Sequence, residues 1–243
     1  MKGIVLAGGL GTRLFPLTKI TNKHLLPIYK KPMIFYPIEM LVAAGVREIM
    51  IVTGGRNAGD FLRLIGNGKD FGLSRIHYTY QEGEGGIAEA LGLAEEFAEG
   101  QKVVVVLGDN ILEKGIARGV ANFQKQKKGA RLFLKEVEHP WEYGIAEIKG
   151  DKIKRIIEKP KKPPTNLAVI GVYMYPSDVF KIVKNLKPSK RGELEITDVN
   201  NAYIRKGGLE YEVVNGWWMD AGENAESLLQ ANITVDRTAG VKI

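Results

Sequence analysis

The sequence predicts a three-layer α/β fold, with a Rossmann-like central sheet that is mixed but mostly parallel and has helices on both faces. Its first half alternates strand and helix patterns, the order expected when helices cross over between parallel strands. The run VVVVL at 103–107 is typical of a parallel strand buried on both faces. With 243 residues and 44% hydrophobic content, the chain could form one large domain or two small ones. We predict a single domain, residues 1–243.

The first part, about residues 1–130, contains four predicted strands and two predicted helices. The strands are at 4–7, 48–53, 75–81 and 103–107. One helix is predicted over 32–44, with Gly45 as its C-terminal stop, and the other over 87–98. In open sheets of this kind, ligands bind beyond the carboxyl ends of the strands.

The second part, about residues 131–243, changes to shorter strands separated by turn residues. Strands are predicted at 132–137, 143–148, 153–158 and 169–175, with separators such as His139-Pro140 and Gly150-Asp151. A helix near 176–183 and another from 223 to about 236 close the chain. We expect this part to extend the same sheet and to form the wall of a pocket.

Composition excludes several classes of protein. The chain has no cysteine, which rules out disulfide, thiolate and zinc–cysteine chemistry and makes an intracellular protein the simplest fit. Thirty-five Lys and Arg against 28 Asp and Glu give a charge of +7, which suits nucleic acid or a small anionic substrate. The basic clusters at 125–128 and 159–164 are short and lack aromatic residues, which favours the small anion. With no signal-peptide pattern and no segment of membrane length, we expect a cytoplasmic protein with neither a nucleic-acid nor a membrane partner.

A glycine-rich segment, LAGGLGTRL at 6–14, follows the first predicted strand. Glycines after a buried strand let backbone N–H groups approach a phosphate, because no Cβ obstructs the anion. The dinucleotide fingerprint G-x-G-x-x-G does not fit, since its third glycine would fall on Leu14. A P-loop does not fit either, because Gly68-Lys69 is followed by Asp70 and has Arg63 in place of the first glycine. The segment therefore predicts a phosphate site of another kind.

Two cations and two carboxylates accompany this loop in the sequence. Arg13 and Lys23 place two positive charges beside the loop amides, an arrangement that suits a polyphosphate. Asp109 follows the VVVVL strand, and Asp220 follows an apolar stretch in WWMDAG. Each would serve equally well as a turn or helix-capping residue. Two carboxylates without a His or Cys cluster also suit Mg²⁺ bound mainly by water and phosphate oxygens.

Several other polar and aromatic positions have a more ordinary explanation when taken alone. Glu158-Lys159 and the charged stretch 191–195 are typical of a solvated surface. Trp217-Trp218 is more typical of a core or an interface than of base stacking. A metal site or catalytic triad is not indicated by the scattered histidines His24, His77 and His139.

Nine ordered segments, spread along essentially the whole chain, carry a resemblance to one family. They are LAGGLGTRLFPLT, NKHLLPIYKKPMIFYPIEML, the stretch with Gln81 and Gly86, LGDN, EYGIAE, IIEKP, VIGVYMY, RGELEITDVN and WWMDAG. In this order they resemble the sugar-phosphate nucleotidyltransferases. RGELEITDVN resembles, more particularly, the branch of glucose-1-phosphate thymidylyltransferases.

The resemblance implies that glucose 1-phosphate attacks the α-phosphorus of dTTP, that pyrophosphate leaves, and that Mg²⁺ is the cofactor. It also implies that the first part binds the nucleotide and the second part the sugar. The implied catalytic residues are Arg13, Lys23, Asp109 and Asp220, the two aspartates holding the metal. The implied nucleotide contacts are Leu6, Ala7, Gly8, Gly9, Gly11, Thr12, Arg13, Lys23, Gln81 and Gly86. The implied sugar-phosphate contacts are Asn110, Gly144, Glu158, Lys159, Val169, Tyr173 and Arg191.

Two features depart from the family pattern. His24 stands where the family commonly has Gln, which puts no assigned role in doubt. The chain ends at Ile243, whereas the familiar bacterial enzymes continue through helices that contribute to oligomer contacts and to a regulatory nucleotide site. We therefore expect no separate regulatory site. A homo-oligomer is allowed, but its contacts do not follow from the sequence.

Three alternatives stay open at this point. One is the same chemistry with UTP or another sugar 1-phosphate, since Gln81 could pair with uracil as readily as with thymine and a methyl contact is worth only about 1–3 kcal/mol. Another is a non-catalytic module that senses nucleotides, which the retention of both cations and both aspartates argues against. The third is nucleic-acid binding, which the dispersed charge disfavours.

Overall fold

The computed structural model describes residues 1–239, and its largest element is a nine-stranded sheet. The strands of the described residues are, in chain order, β1 (Lys2–Ala7), β2 (Pro27–Ile28), β3 (Lys31–Pro32), β4 (Glu48–Gly54), β5 (Arg75–Gln81), β6 (Val103–Leu107), β7 (Asn110–Leu112), β8 (Ala130–Glu136), β9 (Gly144–Lys149), β10 (Lys152–Glu158), β11 (Leu167–Tyr175), β12 (Leu209–Val213) and β13 (Trp218–Asp220). The short strands β2 with β3, and β7 with β13, form two separate antiparallel pairs.

The large sheet is mixed, and most of its strands point the same way. Its order is β10-β9-β11-β6-β1-β4-β5, with β8 beside β11 and β12 beside β8. Strand β1 is parallel to β4 and β6, β4 to β5, and β8 to β12. Strand β11 is antiparallel to β6, β8 and β9, and β10 is antiparallel to β9. Only β10 and β11 therefore run against the other strands, which confirms the predicted mostly parallel sheet.

Helices cover both faces of this sheet. They are α1 (Phe35–Ala43), α2 (Ala58–Ile65), α3 (Ile87–Gly92), α4 (Glu95–Ala98), α5 (Ala117–Lys125), α6 (Val179–Lys184), α7 (Ile196–Arg205) and α8 (Ala225–Ala239). Alternate side chains of β1 point to opposite faces: Ile4 and Leu6 pack with α3, α4, α6 and α7, whereas Val5 and Ala7 pack with α1, α2 and α5. The three-layer prediction is confirmed. None of the helices in residues 1–239 combines the length and apolar character needed to cross a membrane.

All eight predicted strands are present, with ends within two residues of the prediction. The four strands of the predicted second part, β8 to β11, belong to the same sheet as β1. That the first part binds the nucleotide and the second part the sugar stays a prediction. Residues 240–243 of the second part lie outside the described residues.

The predicted helices needed correction at their ends. The helix predicted over 32–44 begins only at Phe35, because Pro32 is paired in the β2–β3 hairpin. The helix predicted over 87–98 is two helices, α3 and α4. The break follows Gly92, where a Cβ would lie 3.1 Å from Val183 of α6, so a residue of low helix propensity stands where two helices approach closely. The last two predicted helices are α6 and α8, each beginning two or three residues later than predicted.

Eight elements were not predicted: α2, α5, α7, β2, β3, β7, β12 and β13. Helix α7 has the sequence ITDVNNAYIR, whose β-branched and Asn residues have weak helix propensity. It forms because Val199 and Tyr203 are buried against the sheet, so tertiary packing overrides the local preference.

The outer edge of β10 is covered by a side chain of α7. Asn201 accepts a hydrogen bond from the backbone N–H of Ile156 and donates one to the carbonyl of the same residue, each at 2.9 Å. A single amide thus satisfies both backbone groups of one edge residue.

Candidate functional site

A cavity of about 480 Å³ opens where the parallel strands β1, β5 and β6 end. Of the residues implied by the resemblance, Ala7 alone does not line it, since its side chain is wholly buried behind the wall. The others line one cavity: Leu6, Gly8, Gly9, Gly11, Thr12, Arg13, Lys23, Gln81, Gly86, Asp109, Asn110, Gly144, Glu158, Lys159, Val169, Tyr173, Arg191 and Asp220.

The glycine-rich loop takes conformations that require glycine. Gly9 and Gly11 have φ angles of 89° and 62°, in the left-handed region that side chains disfavour. Thr18 fixes the turn by donating from Oγ1 to the carbonyl of Gly11 at 2.7 Å. Arg13 follows in a single 3₁₀ turn, and its side chain is 63% exposed. Its guanidinium lies 3.6 Å from Glu223, too loose a contact to hold it away from a ligand.

Lys23 and Asp109 form a short ion pair in the floor of the cavity. Lys23 Nζ donates to Asp109 Oδ2 at 2.6 Å. Burial alone would lower the pKa of Lys23, but the neighbouring charges of Asp109 and then Asp220 outweigh it and raise the pKa. Burial alone would raise the pKa of Asp109, but the Lys23 ammonium beside it holds that pKa well below its usual range. Both groups are therefore charged at neutral pH.

Asp220 lies beside this pair because β13 is antiparallel to β7, with Asp220 opposite Asn110. Its Oδ1 is buried and has no hydrogen-bond partner among the described residues. Burial, and then the charge of Asp109, raise the pKa of the Asp220 carboxyl. A hard cation would satisfy this unpartnered oxygen and, by offsetting the repulsion between the two carboxyl groups, would favour the ionised form of Asp220. The residues therefore fit a Mg²⁺ ion whose other ligands are water and phosphate oxygens, although residues 1–239 hold no cluster of three His, Cys, Asp or Glu that could hold a metal alone.

Asn110 holds this arrangement together. Its Oδ1 accepts from the N–H of Gly171 at 2.9 Å and from Trp218 Nε1 at 2.7 Å, while its Nδ2 donates to Asp109 Oδ1 at 3.1 Å. The side chain is almost fully buried and already uses its amide in three contacts. The geometry thus gives Asn110 the role of orienting Asp109, and the expected contact with the sugar phosphate stays a prediction.

His24 is buried next to the ion pair and is neutral. Asn22 Oδ1 accepts from the backbone N–H of His24 and lies 2.8 Å from its Nδ1, so Nδ1 must carry the hydrogen. Burial, and then the Lys23 charge, lower the pKa of His24 to about 3. The 3.9 Å approach of Nε2 to Asp109 is accordingly a contact of a neutral ring, not an ion pair.

Gln81 and Gly86 meet at one end of the cavity. Gln81 is the last residue of β5 and is only 5% exposed. Its Nε2 donates to the carbonyl of Gly86 at 3.2 Å. Gly86 has a φ of 97°, and a Cβ there would lie 2.6 Å from the carbonyl of Leu194. No other residue type fits at Gly86 without moving the 191–195 loop.

Charged side chains line the opposite end. Glu158 Oε2 accepts from Thr197 Oγ1 at 2.6 Å, and a Cβ on Gly144 would lie 3.3 Å from both of these oxygens. Arg191 is held by Glu195 at 2.8 Å and approaches Glu158 at 3.8 Å. The 191–195 loop is therefore part of the cavity wall and not simply a solvated surface.

Sequence reasoning missed several lining residues, namely Glu84, Glu142, Tyr143, Glu195, Thr197 and Glu223. Glu195 and Thr197 lie within RGELEITDVN, and Glu142 and Tyr143 begin EYGIAE, so the segments that carried the resemblance were the available signal for these four. Trp218, expected in a core or an interface, packs edge-on against Tyr143 in the cavity wall. His77 and His139 lie outside the cavity, each against an aromatic ring.

Comparison with known proteins gives matches along the chain. The family model for nucleotidyl transferases matches residues 2–238. A glucose-1-phosphate thymidylyltransferase from Actinoplanes sp. is 40% identical over 248 residues, covering 100% of this chain and 82% of the relative. The enzyme of that name from Neisseria meningitidis is 42% identical over 95% of this chain and 81% of its own length.

Two solved structures have the same fold. One is a Bacillus anthracis protein proposed to be a glucose-1-phosphate thymidylyltransferase, crystallised with sucrose, with a TM-score of 0.92 and 48% identity over 96% of this chain and 94% of the other. The second is a UDP-glucose pyrophosphorylase with bound UDP-glucose, with a TM-score of 0.86 and 27% identity over 98% of each chain.

Proposed function

The chain belongs to the nucleotidyl transferase family, and we propose that it transfers the thymidylyl group of dTTP to α-D-glucose 1-phosphate, giving dTDP-glucose and pyrophosphate. The observation that carries the proposal is the meeting of the glycine loop, Arg13, Lys23, Asp109 and Asp220 in one cavity. The names of two relatives at 40% and 42% identity support the choice of nucleotide and sugar. A cytoplasmic setting is part of the proposal, since the chain has no cysteine.

In the proposed reaction, a phosphate oxygen of the sugar 1-phosphate attacks the α-phosphorus of the nucleotide. The bond from the α-phosphorus to the bridging oxygen of the β-phosphate breaks, and that oxygen leaves with pyrophosphate. No covalent bond to the protein forms. The task of the enzyme is to hold two anions in line and to neutralise their charge.

The residues of the first part would hold the triphosphate. Backbone N–H groups of the glycine loop would face its oxygens, and Arg13 would bind the charge that grows on the leaving pyrophosphate. Lys23 would approach the α-phosphate. Asp109 and Asp220 would hold Mg²⁺ against the phosphates. When bound, the ion would withdraw electron density from the phosphoryl oxygens and fix the orientation of the chain of phosphates.

The two ends of the cavity would select the substrates. Gln81 and Gly86 would face the base. Because Gly86 has no side chain, it would leave room for the ring of the base. Glu158 would accept hydrogen bonds from sugar hydroxyls, while Lys159 and Arg191 would meet the sugar phosphate. Asn110, Gly144, Val169 and Tyr173 would complete the sugar pocket.

A second candidate is the same reaction with UTP. The structural similarity to a UDP-glucose pyrophosphorylase supports it, because a closely similar fold there holds UDP-glucose. Thymine and uracil differ by one methyl group, which is worth only about 1–3 kcal/mol in a pocket.

The experiment is a panel of dTTP, UTP, CTP, ATP and GTP, each with glucose 1-phosphate, following pyrophosphate release. We expect turnover with dTTP that requires both the sugar phosphate and a divalent metal, and that stops when the metal is chelated. A higher kcat/KM with UTP would favour the second candidate. Nucleotide binding without turnover in any mixture would favour a sensing module.

A further inference from the structure

The side-chain amide of Gln81 is held in one orientation by two acceptors. Its Nε2 donates to the carbonyl oxygen of Gly86 and to Oε2 of Glu89, each at 3.2 Å. A backbone carbonyl and a carboxylate accept hydrogen bonds and do not donate them, so the amide atom that faces them must be the NH₂ group. The other amide atom is therefore the carbonyl oxygen Oε1.

That oxygen faces the glycine loop. A Cβ built on Gly8 would lie 2.7 Å from Gln81 Oε1, so the oxygen lies against the bare backbone of Gly8. Both residues line the cavity. Gln81 consequently presents an acceptor, and not a donor, to a ligand at this end.

The carboxylate of Glu89 reaches Gln81 only because Gly85 has no side chain. A Cβ on Gly85 would lie 1.3 Å from Glu89 Oε2, which means that the carboxylate occupies the space a side chain would fill. The loop is fixed at the same point, because Leu194 N–H donates to the carbonyl of Gly85 at 2.8 Å. Helix α3 then carries Glu89 on its first turn, half-buried beneath the loop.

We propose that Glu89 is a positioning residue that sets base specificity: by accepting from Gln81 Nε2 it turns Gln81 Oε1 toward the cavity, which selects a pyrimidine whose ring nitrogen N3 carries a hydrogen. The inference rests on the proposed function, in which Gln81 faces the base. Glu89 itself touches no substrate in this account.

The selection among pyrimidines would follow from whether N3 of the base carries a hydrogen or a lone pair. Thymine and uracil carry a hydrogen on N3 that can donate to Oε1. Cytosine has a lone pair at N3, so two acceptors would oppose each other beside Gln81, which is only 5% exposed. A site built around such a hydrogen bond rejects the wrong base strongly, because a buried polar group is left unpaired. The selection is between imide and amino pyrimidines and is independent of the 5-methyl group and of the sugar of the nucleotide.

The test uses dUTP and dCTP, which differ only at N3 and at the substituent on C4. We expect the wild-type protein to bind dUTP at least about a hundredfold more tightly than dCTP in equilibrium titration. In Glu89→Gln the amide at 89 can donate as well as accept, so only the Gly86 carbonyl still requires the NH₂ group of Gln81 on that side, and Gln81 can turn over more readily. The preference for dUTP should fall by about tenfold or more. With saturating dTTP, kcat should stay within about threefold of wild type, because neither side chain touches the reacting phosphates.

A second variant displaces the carboxylate without removing it. Gly85→Ala places a methyl group where Glu89 Oε2 now lies, and we expect the same loss of preference. Glu96→Gln is the matched control, since it removes one carboxylate from the exposed face of α4. It should keep the wild-type preference.

An unchanged dUTP preference in both Glu89→Gln and Gly85→Ala would overturn the inference, as would an equal loss in Glu96→Gln. Failure of the proposed function has a different signature. Wild type that prefers dUTP in titration but releases no pyrophosphate would overturn the function, while loss of that preference in Glu89→Gln would still support the role of Glu89.

Discussion

Lys23 Nζ lies 2.6 Å from Asp109 Oδ2, which joins the residue expected at the α-phosphate to one of the two carboxylates expected at the metal. The ammonium neutralises Asp109, and Oδ1 of Asp220 has no hydrogen-bond partner among the described residues. A nucleotide with its cation would give both residues new partners at once. Lys23 would turn to phosphate, and Asp109 and Asp220 would share the cation. Binding of nucleotide and of metal should therefore be coupled.

Asp109→Asn removes one of the two carboxylates and with it the negative charge that faces Lys23. We expect metal-dependent pyrophosphate release to fall by about a hundredfold or more, the scale of losing a main electrostatic contact, while dTTP binding without metal persists. The measurements are initial rates with Mg²⁺ and titration in a chelator. Asp151→Asn, in the exposed turn between β9 and β10, is the control. Wild-type rates in Asp109→Asn would make Asp109 merely a turn residue.

Arg13→Ala should act mainly on kcat. The guanidinium is 63% exposed and loosely paired, so its removal costs little stability, but its expected partner charge grows as pyrophosphate departs. We expect kcat to fall by about ten- to a hundredfold, the equivalent of one charge-assisted hydrogen bond, with little change in the KM of glucose 1-phosphate. Steady-state kinetics beside Arg63→Ala, an exposed arginine on α2, would check it. Equal kinetics for the two variants would count against a role in the reaction.

The main expected effect of Asn110→Ala is a lower free energy of unfolding, and not weaker substrate binding. Gly171 N–H and Trp218 Nε1 would lose their common acceptor, and unpaired buried donors cost about 1–3 kcal/mol each. We expect the free energy of unfolding in denaturant to fall by about 2–4 kcal/mol, with no such fall in Asn166→Ala, an exposed residue. Unchanged stability together with a raised KM for glucose 1-phosphate would instead support the direct sugar-phosphate contact.

His24 should make the protein less stable in mild acid. Its pKa is about 3 in the folded chain and 6.5 in an ordinary environment, so between these values the unfolded chain binds a proton that the folded chain does not. The stability that comes from keeping His24 neutral is therefore fully present above pH 6.5 and is lost as the pH falls toward 3. The slope approaches about 1.4 kcal/mol per pH unit.

The measurement is the free energy of unfolding of wild type and His24→Gln at pH 7 and pH 5, without added metal. Wild type should lose about 2 kcal/mol more than the variant over this interval. Parallel losses in the two proteins would show that His24 does not titrate on unfolding.

The sheet was predictable because each of its main strands is rich in apolar and β-branched residues, a pattern that can be recognised from the local sequence. The four successive valines at 103–106 favour a strand over a helix, and the residues that follow parallel strands meet at one edge of the sheet. That rule alone brought the glycine loop and Asp109 together, and the resemblance added Gln81. The resemblance added the sugar end, where Glu158 and Arg191 have no distinctive local signal.

The contacts that tune the site were not predictable from pattern. Lys23 and Asp109 are 86 residues apart, and Trp218 and Asn110 are 108 apart, so no spacing rule relates them. The role of Glu89 depends on the space above Gly85, a property of the folded loop. Helix α7 was missed for a related reason, since its stability comes from buried neighbours and not from its own sequence.

The amide of Asn201 on the edge of β10 has a consequence for how copies of this chain can meet. A strand from another molecule that tried to extend the sheet there would have to displace two hydrogen bonds to Ile156 before it made its own. Strand-to-strand pairing through this edge is therefore opposed by one side chain near the middle of β10. At Ile156, an association between copies would therefore have to use side-chain contacts with α7 and β10 in place of backbone hydrogen bonds.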